Sequence, residues 1–418
     1  MNISLSILQF LILVSVSLVV SRIFSAIGNK YFGFPAVIGE LITGIIIGPF
    51  ALGSVPVLGF TLIPQTATGF LAPVSSSVPI PQSFYMFGQV GVIILLFFVG
   101  LNTDLQKFVK AIKSSTFIAI GESAFPFMIG YVTVLLLFHN VISALFMGAI
   151  LTASSTGITA RVLADMKKVN SSEGITIMTA TVIVDVISIT LLALVTGIAY
   201  SSLSINSLIV TVLKVLVFWG IALFVGLKLS KYVSKLIALF KDSLTQFAFV
   251  LLILFLVVSG SEFLGLTVIV GAYAFGLALS KVPKKEEISK NTENLANFFT
   301  PIFFVSMGMI VDMHTLAVGI FISLLILAIA IITKLLGAAF PAKLLGYDFK
   351  KSIIIGAGLM SMGEVALIIA GNAILYGLIS NEIYSIAIFT TIVTTIIAPI
   401  LLSKLYKSDK TMINIANQ

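Results

Sequence analysis

One carboxylate stands out among the residues whose chemistry the sequence makes unusual. Asp185 lies in the middle of an otherwise uncharged apolar run from Gly174 to Leu213. An ionised side chain inside such a segment is energetically expensive and is rarely kept without a task. A buried carboxylate binds either a proton or a cation, since each of them neutralises its charge. Asp185 is therefore a candidate site for exchanging the two, and the alternative is a structural Asp locked to another buried charge.

A polar stretch in another apolar segment is the second candidate. It runs from Thr152 to Gly157 and reads Thr-Ala-Ser-Ser-Thr-Gly, which favours an interruption of the helix. An interrupted helix frees carbonyl oxygens and points half-helix ends at a bound ion. The alternative is that these small residues pack helices against each other. The predicted cation-binding and proton-binding residues are thus Asp185, Thr152, Ser154, Ser155 and Thr156, with Asp185 as the charged ligand of Na⁺.

Further charges also lie within apolar segments. Lys334 is a buried ammonium that either takes part in proton exchange or forms a permanent ion pair. Its partner is left open among Glu122, Asp185 and Glu364. The remaining buried charges, Glu364 with Arg161 and also Glu40, are predicted to form structural or pH-sensing pairs near the inner ends of their helices.

The composition restricts the class of protein. Of 418 residues, 59% are hydrophobic and 10% are charged, against about 25% charged residues in soluble proteins. The chain therefore reads as a polytopic membrane protein. It has no cysteine, and no nucleotide-binding or metalloprotease motif is present. We expect no enzyme activity, no cofactor and no nucleic-acid partner, and we attribute the net charge of +8 to membrane topology.

The positions of the basic residues predict the topology. All but Lys214 and Lys334 of the 24 Lys and Arg residues follow odd-numbered apolar spans. The positive-inside rule then places these connections and the C-terminus in the cytoplasm and the N-terminus outside. The thirteen predicted spans are 4–26, 35–53, 84–103, 114–138, 141–163, 172–200, 206–227, 243–261, 264–280, 295–312, 315–340, 350–378 and 382–405.

An internal repeat relates the two halves of the chain. Gly100-Leu-Asn-Thr-Asp104 resembles Gly308-Met-Ile-Val-Asp312, and the same offset carries 152–156 onto 360–364. Spans 3 and 10 are seven apart, so the two copies cross the membrane in opposite directions. The predicted fold is all-α, with thirteen transmembrane helices in two inverted six-helix repeats and discontinuous crossing helices. Such repeats place a substrate site near the midplane.

These patterns together resemble the monovalent cation:proton antiporter-2 family, most closely its NapA-type sodium/proton antiporters (the NhaA/NapA-like fold). The resemblance covers nearly the whole chain and rests on five markers: Pro35–Leu41 with Gly44, Gly48 and Pro49; Thr152–Leu163; Asp185; Thr333-Lys334 with Gly337; and Gly363-Glu364-Val365. It implies a homodimer in which a core moves like an elevator against a dimerisation domain. The implied parts are 1–113 and 243–312 for dimerisation, 114–200 and 313–405 for the core, 201–242 as the linker helix and 406–418 as a short cytoplasmic tail.

Two positions depart from the family pattern. Val184 stands where such antiporters usually carry an Asp or Asn before the Asp, and Met362 stands where they tend to carry an Arg before the Gly-Glu. The first change leaves Lys334 without its usual acid, for which Glu122 is a possible substitute. We expect alternating-access exchange of Na⁺ or Li⁺ for H⁺ in the plasma or inner membrane, with the lipid bilayer as surroundings. K⁺/H⁺ antiport, as in the Kef branch but without a regulatory domain, is the alternative, and a cation channel is a more distant one.

Overall fold

The computed structural model describes residues 3–32, 34–56, 61–63, 73–75, 78–199, 242–263, 268–282, 285–310 and 320–416. Eight helices in these ranges are long and apolar enough to cross a membrane, so the protein is helical and polytopic. The α-helices are α1 Ile3–Ile27, α2 Ala36–Ile47, α3 Gln82–Asn102, α4 Leu105–Phe138, α5 Val141–Thr152, α6 Thr156–Asp165, α7 Ser172–Ala199, α8 Ser243–Phe263, α9 Val268–Ala278, α10 Lys285–Met309, α11 Ile320–Leu344, α12 Phe349–Leu359, α13 Glu364–Leu375 and α14 Asn381–Ala416.

Each predicted span except the seventh overlaps a helix, and the seventh, 206–227, lies outside the described residues. Three helices extend well beyond their predicted spans, and α2 ends earlier, at Ile47 rather than 53. Helix α4 begins at Leu105 rather than 114, helix α10 begins at Lys285 rather than 295, and helix α14 runs to Ala416 through the predicted tail. Hydropathy locates the apolar part of a helix, whereas these extensions are polar.

The early start of α4 has a local cause. Asp104 caps the helix, and its carboxylate accepts hydrogen bonds from the backbone N–H groups of Gln106 at 2.9 Å and Lys107 at 3.2 Å. The Lys107 N–H bond is the main reason that the pKa of Asp104 lies below its usual value. At the start of α10, Glu286 and Glu287 occupy the first turn, where carboxylates are favoured by the helix dipole.

The proline-rich segment between α2 and α3 contains the only strands among the described residues. Strand β1 (Pro73–Ser75) pairs antiparallel with strand β2 (Val78–Pro81), with Ser75 opposite Val78. A 3₁₀ turn, Leu52–Ser54, follows α2. This short ribbon adds a small β element to the predicted all-α fold.

The helices pack in two groups. Helix α3 lies against α9 and α10, and α2 lies against α1 and α10. Helix α4 packs against α5, α7 and α11, while α12 and α13 contact α14. In the first group α2 and α10 are nearly in backbone contact, because a Cβ on Gly44 would lie 2.1 Å from the Val305 carbonyl oxygen. The interrupted helices, α5–α6 and α12–α13, lie in the second group.

Candidate functional site

Two helices are interrupted, and their interruptions touch. Residues 153–155 separate α5 from α6, and residues 360–363 separate α12 from α13. The Ser155 N–H donates to the Ser361 carbonyl oxygen at 2.7 Å. A Cβ on Gly363 would meet the Ser155 Oγ at 2.6 Å, so the two chains approach too closely for a larger residue. The polar stretches predicted at 152–157 and 360–364 therefore do break their helices, and they form one crossing.

Hydroxyl groups hold the crossing together. Thr159 Oγ1 donates to the Gly358 carbonyl oxygen at 2.7 Å, and Ser154 Oγ donates to the Leu359 carbonyl oxygen at 2.7 Å. These carbonyls close the C-terminal end of α12, where the helix has no partner for them. Thr395 on α14 donates to the Met362 carbonyl oxygen. The backbone groups freed by the second interruption are therefore largely satisfied by side chains.

Asp185 lies against the first interruption. Its side chain is buried, and its Oδ2 accepts a hydrogen bond from Thr156 Oγ1 at 2.9 Å. Thr156 is the first residue of α6, so the carboxylate lies near the positive end of a half-helix. Among the described residues, no group of three or more His, Asp or Glu side chains is assembled. A cation at Asp185 would therefore take its remaining ligands from hydroxyls, carbonyls or water.

Lys334 caps the C-terminal end of α5, the other half of the first interrupted helix. Its ammonium forms an ion pair with Glu122 and donates to Ser154 Oγ at 3.0 Å. It also reaches three backbone carbonyl oxygens at the C-terminal end of α5, those of Leu151, Thr152 and Ala153, at 3.3, 3.2 and 3.1 Å. A fixed positive charge at the negative end of a helix is favourable. Of the three acids that were possible partners, Glu122 is the one that forms an ion pair with Lys334.

Two glycines bring the members of this ion pair together. A Cβ on Gly121 of α4 would lie 2.6 Å from the Gly337 carbonyl oxygen of α11. A Cβ on Gly337 would lie 2.9 Å from the Gly121 carbonyl oxygen and 3.2 Å from the Glu122 Cα. Helices α4 and α11 can therefore approach at backbone distance, as small residues permit in membranes. This approach places Glu122 and Lys334, both fully buried, in direct contact.

The predicted site residues divide between two centres. Thr156 is bonded to Asp185, whereas Ser154 is bonded to Glu122 at 2.8 Å and to Lys334. The Thr152 hydroxyl donates to the carbonyl oxygens of Ser123 and Gly148, at 3.2 and 3.1 Å. Ser155 caps α6 through the Ile158 N–H at 3.3 Å. Glu364 begins α13, and its side chain lies outside the part of the chain that the structure describes.

A charge cluster joins α2 to α6, and its members Arg161 and Glu40 are buried whereas Asp165 is partly exposed. Arg161 lies 3.8 Å from the Glu40 carboxylate, and its Nε donates to Asp165 at 3.1 Å. Sequence reasoning expected Glu40 to pair near the inner ends of the helices but did not choose this partner. It also missed the roles of Thr159 and Ser361. Ser361 lies within the polar stretch 360–364 and Thr159 follows the stretch 152–157 closely, and this was the available signal.

A small cavity of about 30 Å³ borders the crossing. Its walls come from α2 and α10 on one side and from α6, α13 and α14 on the other. The polar lining consists of Ser155, Thr391 and Thr395, and the rest is mostly apolar. Leu41 and Ile158 also line the cavity, next to Glu40 and one helical turn from Arg161. The Arg161–Glu40 pair therefore lies near the cavity, although neither side chain lines it.

Interrupted helices that cross beside buried charges, in a multi-pass protein, define the architecture of a membrane carrier. Comparison with known proteins gives the family. Residues 12–407 match the family described as "Sodium/hydrogen exchanger, transmembrane". The chain belongs to this family.

Several relatives are similar over nearly the whole chain. The "Probable Na(+)/H(+) antiporter GerT" of Bacillus cereus is 36% identical, over 90% of this chain and 93% of its own. The "Na(+)/H(+)-K(+) antiporter GerN" of the same organism is 34% identical, over 91% and 92%. The structure of the sodium proton antiporter MjNhaP1 from Methanocaldococcus jannaschii shares the fold, with a TM-score of 0.72 and 17% identity over 97% and 96% of the two chains.

Proposed function

We propose that this protein exchanges Na⁺ for protons across a membrane by alternating access. The observation that carries the proposal is the placement of Asp185, a buried carboxylate bonded to Thr156 at the crossing of two interrupted helices. Membership of the sodium/hydrogen exchanger family and the names of GerT and GerN support the same activity. The protein is a transporter and not an enzyme.

Asp185 is the group that binds the two substrates in turn. A carboxylate in a dry site is stable when it holds either a proton or a cation, because each cancels its charge. Thr156 Oγ1 and carbonyl oxygens freed by the interruption would supply further ligands for the cation. If only loaded states cross between the two faces, each proton carried one way is exchanged for a cation carried the other way.

Lys334 and Glu122 form a fixed pair rather than part of the exchange. The Lys334 ammonium already has Glu122, Ser154 and three carbonyl oxygens around it. A charge with so many partners stays in place while Asp185 is loaded and unloaded. The exchange is then one charge for one, and transport is electroneutral. Ser154 and Thr152 in this proposal position the pair and the C-terminal end of α5, and Ser155 positions α6 at the cavity.

The second candidate cation is K⁺. The name of GerN includes both Na⁺ and K⁺, and GerN aligns with 91% of this chain. Sodium is favoured because GerT and the structural relative MjNhaP1 are named as sodium exchangers. Flux measurements with each cation separate the two.

The finer architecture is part of the proposal. We expect two inverted six-helix repeats, a homodimer, an elevator-like core and the domain limits given by the resemblance. The two interruptions, which fall at equivalent positions of the repeat, support the first of these. The distribution of Lys and Arg supports an outside N-terminus and a cytoplasmic C-terminus in the plasma or inner membrane. The assignment to the antiporter-2 family, NapA type, rests on the residue pattern alone.

Ion-flux measurements on proteoliposomes that contain the reconstituted protein test the exchange of Na⁺ for protons. A Na⁺ gradient should drive proton movement, Li⁺ should substitute for Na⁺, and an imposed membrane potential should not change the rate. The variant Asp185→Asn should insert normally and lose exchange by at least about 100-fold, since one carboxylate carries both ions. Full exchange by this variant would overturn the role of Asp185. Adding a second acid by Val184→Asp should make the rate depend on membrane potential.

A further inference from the structure

Ser188 is a buried hydroxyl that the proposed mechanism does not use. It lies on α7 three residues after Asp185, and its side chain is completely buried. Residues three apart on a helix share a face, with their Cβ atoms about 5–6 Å apart. Ser188 is therefore a hydroxyl-bearing neighbour of Asp185, one turn along the same helix, as Thr181 is one turn before it.

The Ser188 hydroxyl differs from the other buried hydroxyls of α7. Thr176, Thr179 and Thr181 each donate to a carbonyl oxygen of their own helix, at 2.9, 2.7 and 3.0 Å. The nearby Thr190 does the same at 2.8 Å. The Ser188 Oγ has no hydrogen-bond partner among the described residues. A hydroxyl inside an apolar interior normally bonds back to its helix or to a neighbour, because an unpaired polar group there is costly.

An ion held at Asp185 would give this hydroxyl its partner. Small monovalent cations are hard ions and take oxygen ligands, which replace the water lost on entering the site. The carboxylate supplies the charge and Thr156 supplies a hydroxyl from the interruption. Ser188, one turn after Asp185 on the same face of α7, supplies a second neutral oxygen. A neutral oxygen strengthens cation binding without changing the charge that is exchanged.

We propose that Ser188 Oγ is a ligand of the transported cation and helps to determine cation affinity and selectivity. The proposal rests on the proposed function, since it assumes that Asp185 binds the cation. It predicts a site made of Asp185 and Ser188 on one helix face and Thr156 opposite them. Proton binding by Asp185 does not require the Ser188 hydroxyl.

Two variants at this position separate the oxygen atom from the volume that it fills. Ser188→Ala removes the hydroxyl and leaves a small gap, and Ser188→Cys keeps nearly the same volume with a soft sulfur atom in its place. Both should raise the apparent KM for Na⁺ by about tenfold, which corresponds to about 1.4 kcal/mol of lost attraction between the ion and the hydroxyl oxygen. The maximal rate at saturating Na⁺ should stay within about twofold of the native rate, because the carrier carboxylate is intact.

Thr179→Val is the matched control. It removes a buried hydroxyl from the same helix, but one that is already bonded to the Ile175 carbonyl oxygen. This variant should leave the KM for Na⁺ and the Na⁺/Li⁺/K⁺ preference unchanged. Binding is also measured without transport, from the Na⁺ concentration at which the melting temperature of the detergent-purified protein rises. That concentration should increase for both Ser188 variants and stay constant for the control.

The results distinguish the two proposals. A native protein without cation/proton exchange, or full exchange by Asp185→Asn, would refute the proposed function. A native protein that exchanges Na⁺ while both Ser188 variants keep its KM, its cation preference and its Na⁺-dependent melting would overturn the role of Ser188 alone. An effect of Ser188→Ala that Ser188→Cys does not reproduce would assign the residue to packing and would also overturn it. If Ser188→Ala does not fold, Ser188→Cys decides.

Discussion

At the scale of single residues, the arrangement of buried charges differs from the expectation that the family pattern sets. The acid that neutralises Lys334 comes from α4, through Glu122, rather than from the residue before Asp185. Val184, at that position, is a buried apolar side chain. The acid that pairs with Lys334 and the carboxylate of Asp185 therefore lie on different helices, α4 and α7. In the proposed exchange, Asp185 would be loaded and unloaded while Lys334 keeps Glu122 as its partner.

The Glu122–Lys334 pair gives a prediction about stability. Lys334→Gln keeps donors for the α5 carbonyls but leaves Glu122 as a buried charge without its cation. Removing one member of a buried ion pair costs about 3–5 kcal/mol, because the other charge remains unpaired. The double variant Glu122→Gln/Lys334→Gln should recover most of this loss. Thermal unfolding in detergent of the native protein, both single variants and the double variant gives the coupling energy.

The pairing would be contradicted if the stability losses of the two single variants were additive. If the double variant loses as much stability as the sum of the two single variants, the two side chains do not interact. Transport gives a second readout for the same proteins. The double variant should retain measurable Na⁺/H⁺ exchange that is insensitive to membrane potential, because the pair contributes no net charge to the cycle.

At the scale of helices, the sequence was informative where a pattern is local. The polar stretches at 152–157 and 360–364 predicted two interruptions, and both exist because their hydroxyls satisfy the freed backbone groups. The sequence alone could not show whether the Ser154 and Thr156 hydroxyls contact the same carboxylate. The break rotates successive side chains toward different helices, so Ser154 bonds Glu122 while Thr156 bonds Asp185.

Helix contacts are the part that the sequence does not specify. Lys334 and Glu122 are 212 residues apart, and nothing in the periodicity of α4 or α11 shows that they meet. Their contact depends on Gly121 and Gly337, and although Gly337 belongs to a family marker, nothing in the sequence pairs it with Gly121 among the 32 glycines. The polar first turns of α4 and α10 were missed for another reason, since hydropathy does not detect a solvated helical extension.

The glycine contact yields a prediction at this scale. Gly337→Ala places a Cβ 2.9 Å from the Gly121 carbonyl oxygen, so α4 and α11 must separate and the Glu122–Lys334 pair must lengthen. We expect a loss of about 1–3 kcal/mol, the usual cost of overpacking. Gly371→Ala is the control, because its Cβ meets nothing within 4 Å, and it should not destabilise the protein. Equal melting temperatures for the two variants would contradict the proposed close contact.

At the scale of the whole molecule, the cavity and the Arg161–Glu40 pair describe one conformation of a carrier. The cavity separates α2 and α10 from α6, α13 and α14. The Arg161–Glu40 pair joins α2 to α6 near the cavity. It lies toward the end of α6 that carries Asp165 and that leads into Lys167 and Lys168. Alternating access requires that the site be reachable from one face at a time. The arrangement therefore predicts closure on the basic face, with the ion pair as part of that closure.

The closure is tested with a thiol reporter, which the chain permits because it contains no cysteine. Ile158→Cys introduces a thiol in the cavity wall, one turn from Arg161. A membrane-impermeant maleimide applied to the basic face should label it slowly. Adding Glu40→Gln removes the attraction between α2 and α6 and should raise the labelling rate by about tenfold, because each 1.4 kcal/mol of lost interaction changes a population tenfold.

Two further variants decide whether the link between helices, rather than the charge of Arg161, keeps this face closed. Asp165→Asn removes the other partner of Arg161, which lies on the same helix, and should leave labelling slow. Exchanging the charges, Glu40→Arg with Arg161→Glu, should restore slow labelling because the attraction between α2 and α6 returns. Unchanged labelling in Glu40→Gln, or equally fast labelling in Asp165→Asn, would show that the closure does not depend on this pair. The basic face would then be sealed by apolar packing of α2 against α6, and the conformational equilibrium of the carrier would have to be governed by hydrophobic contacts alone.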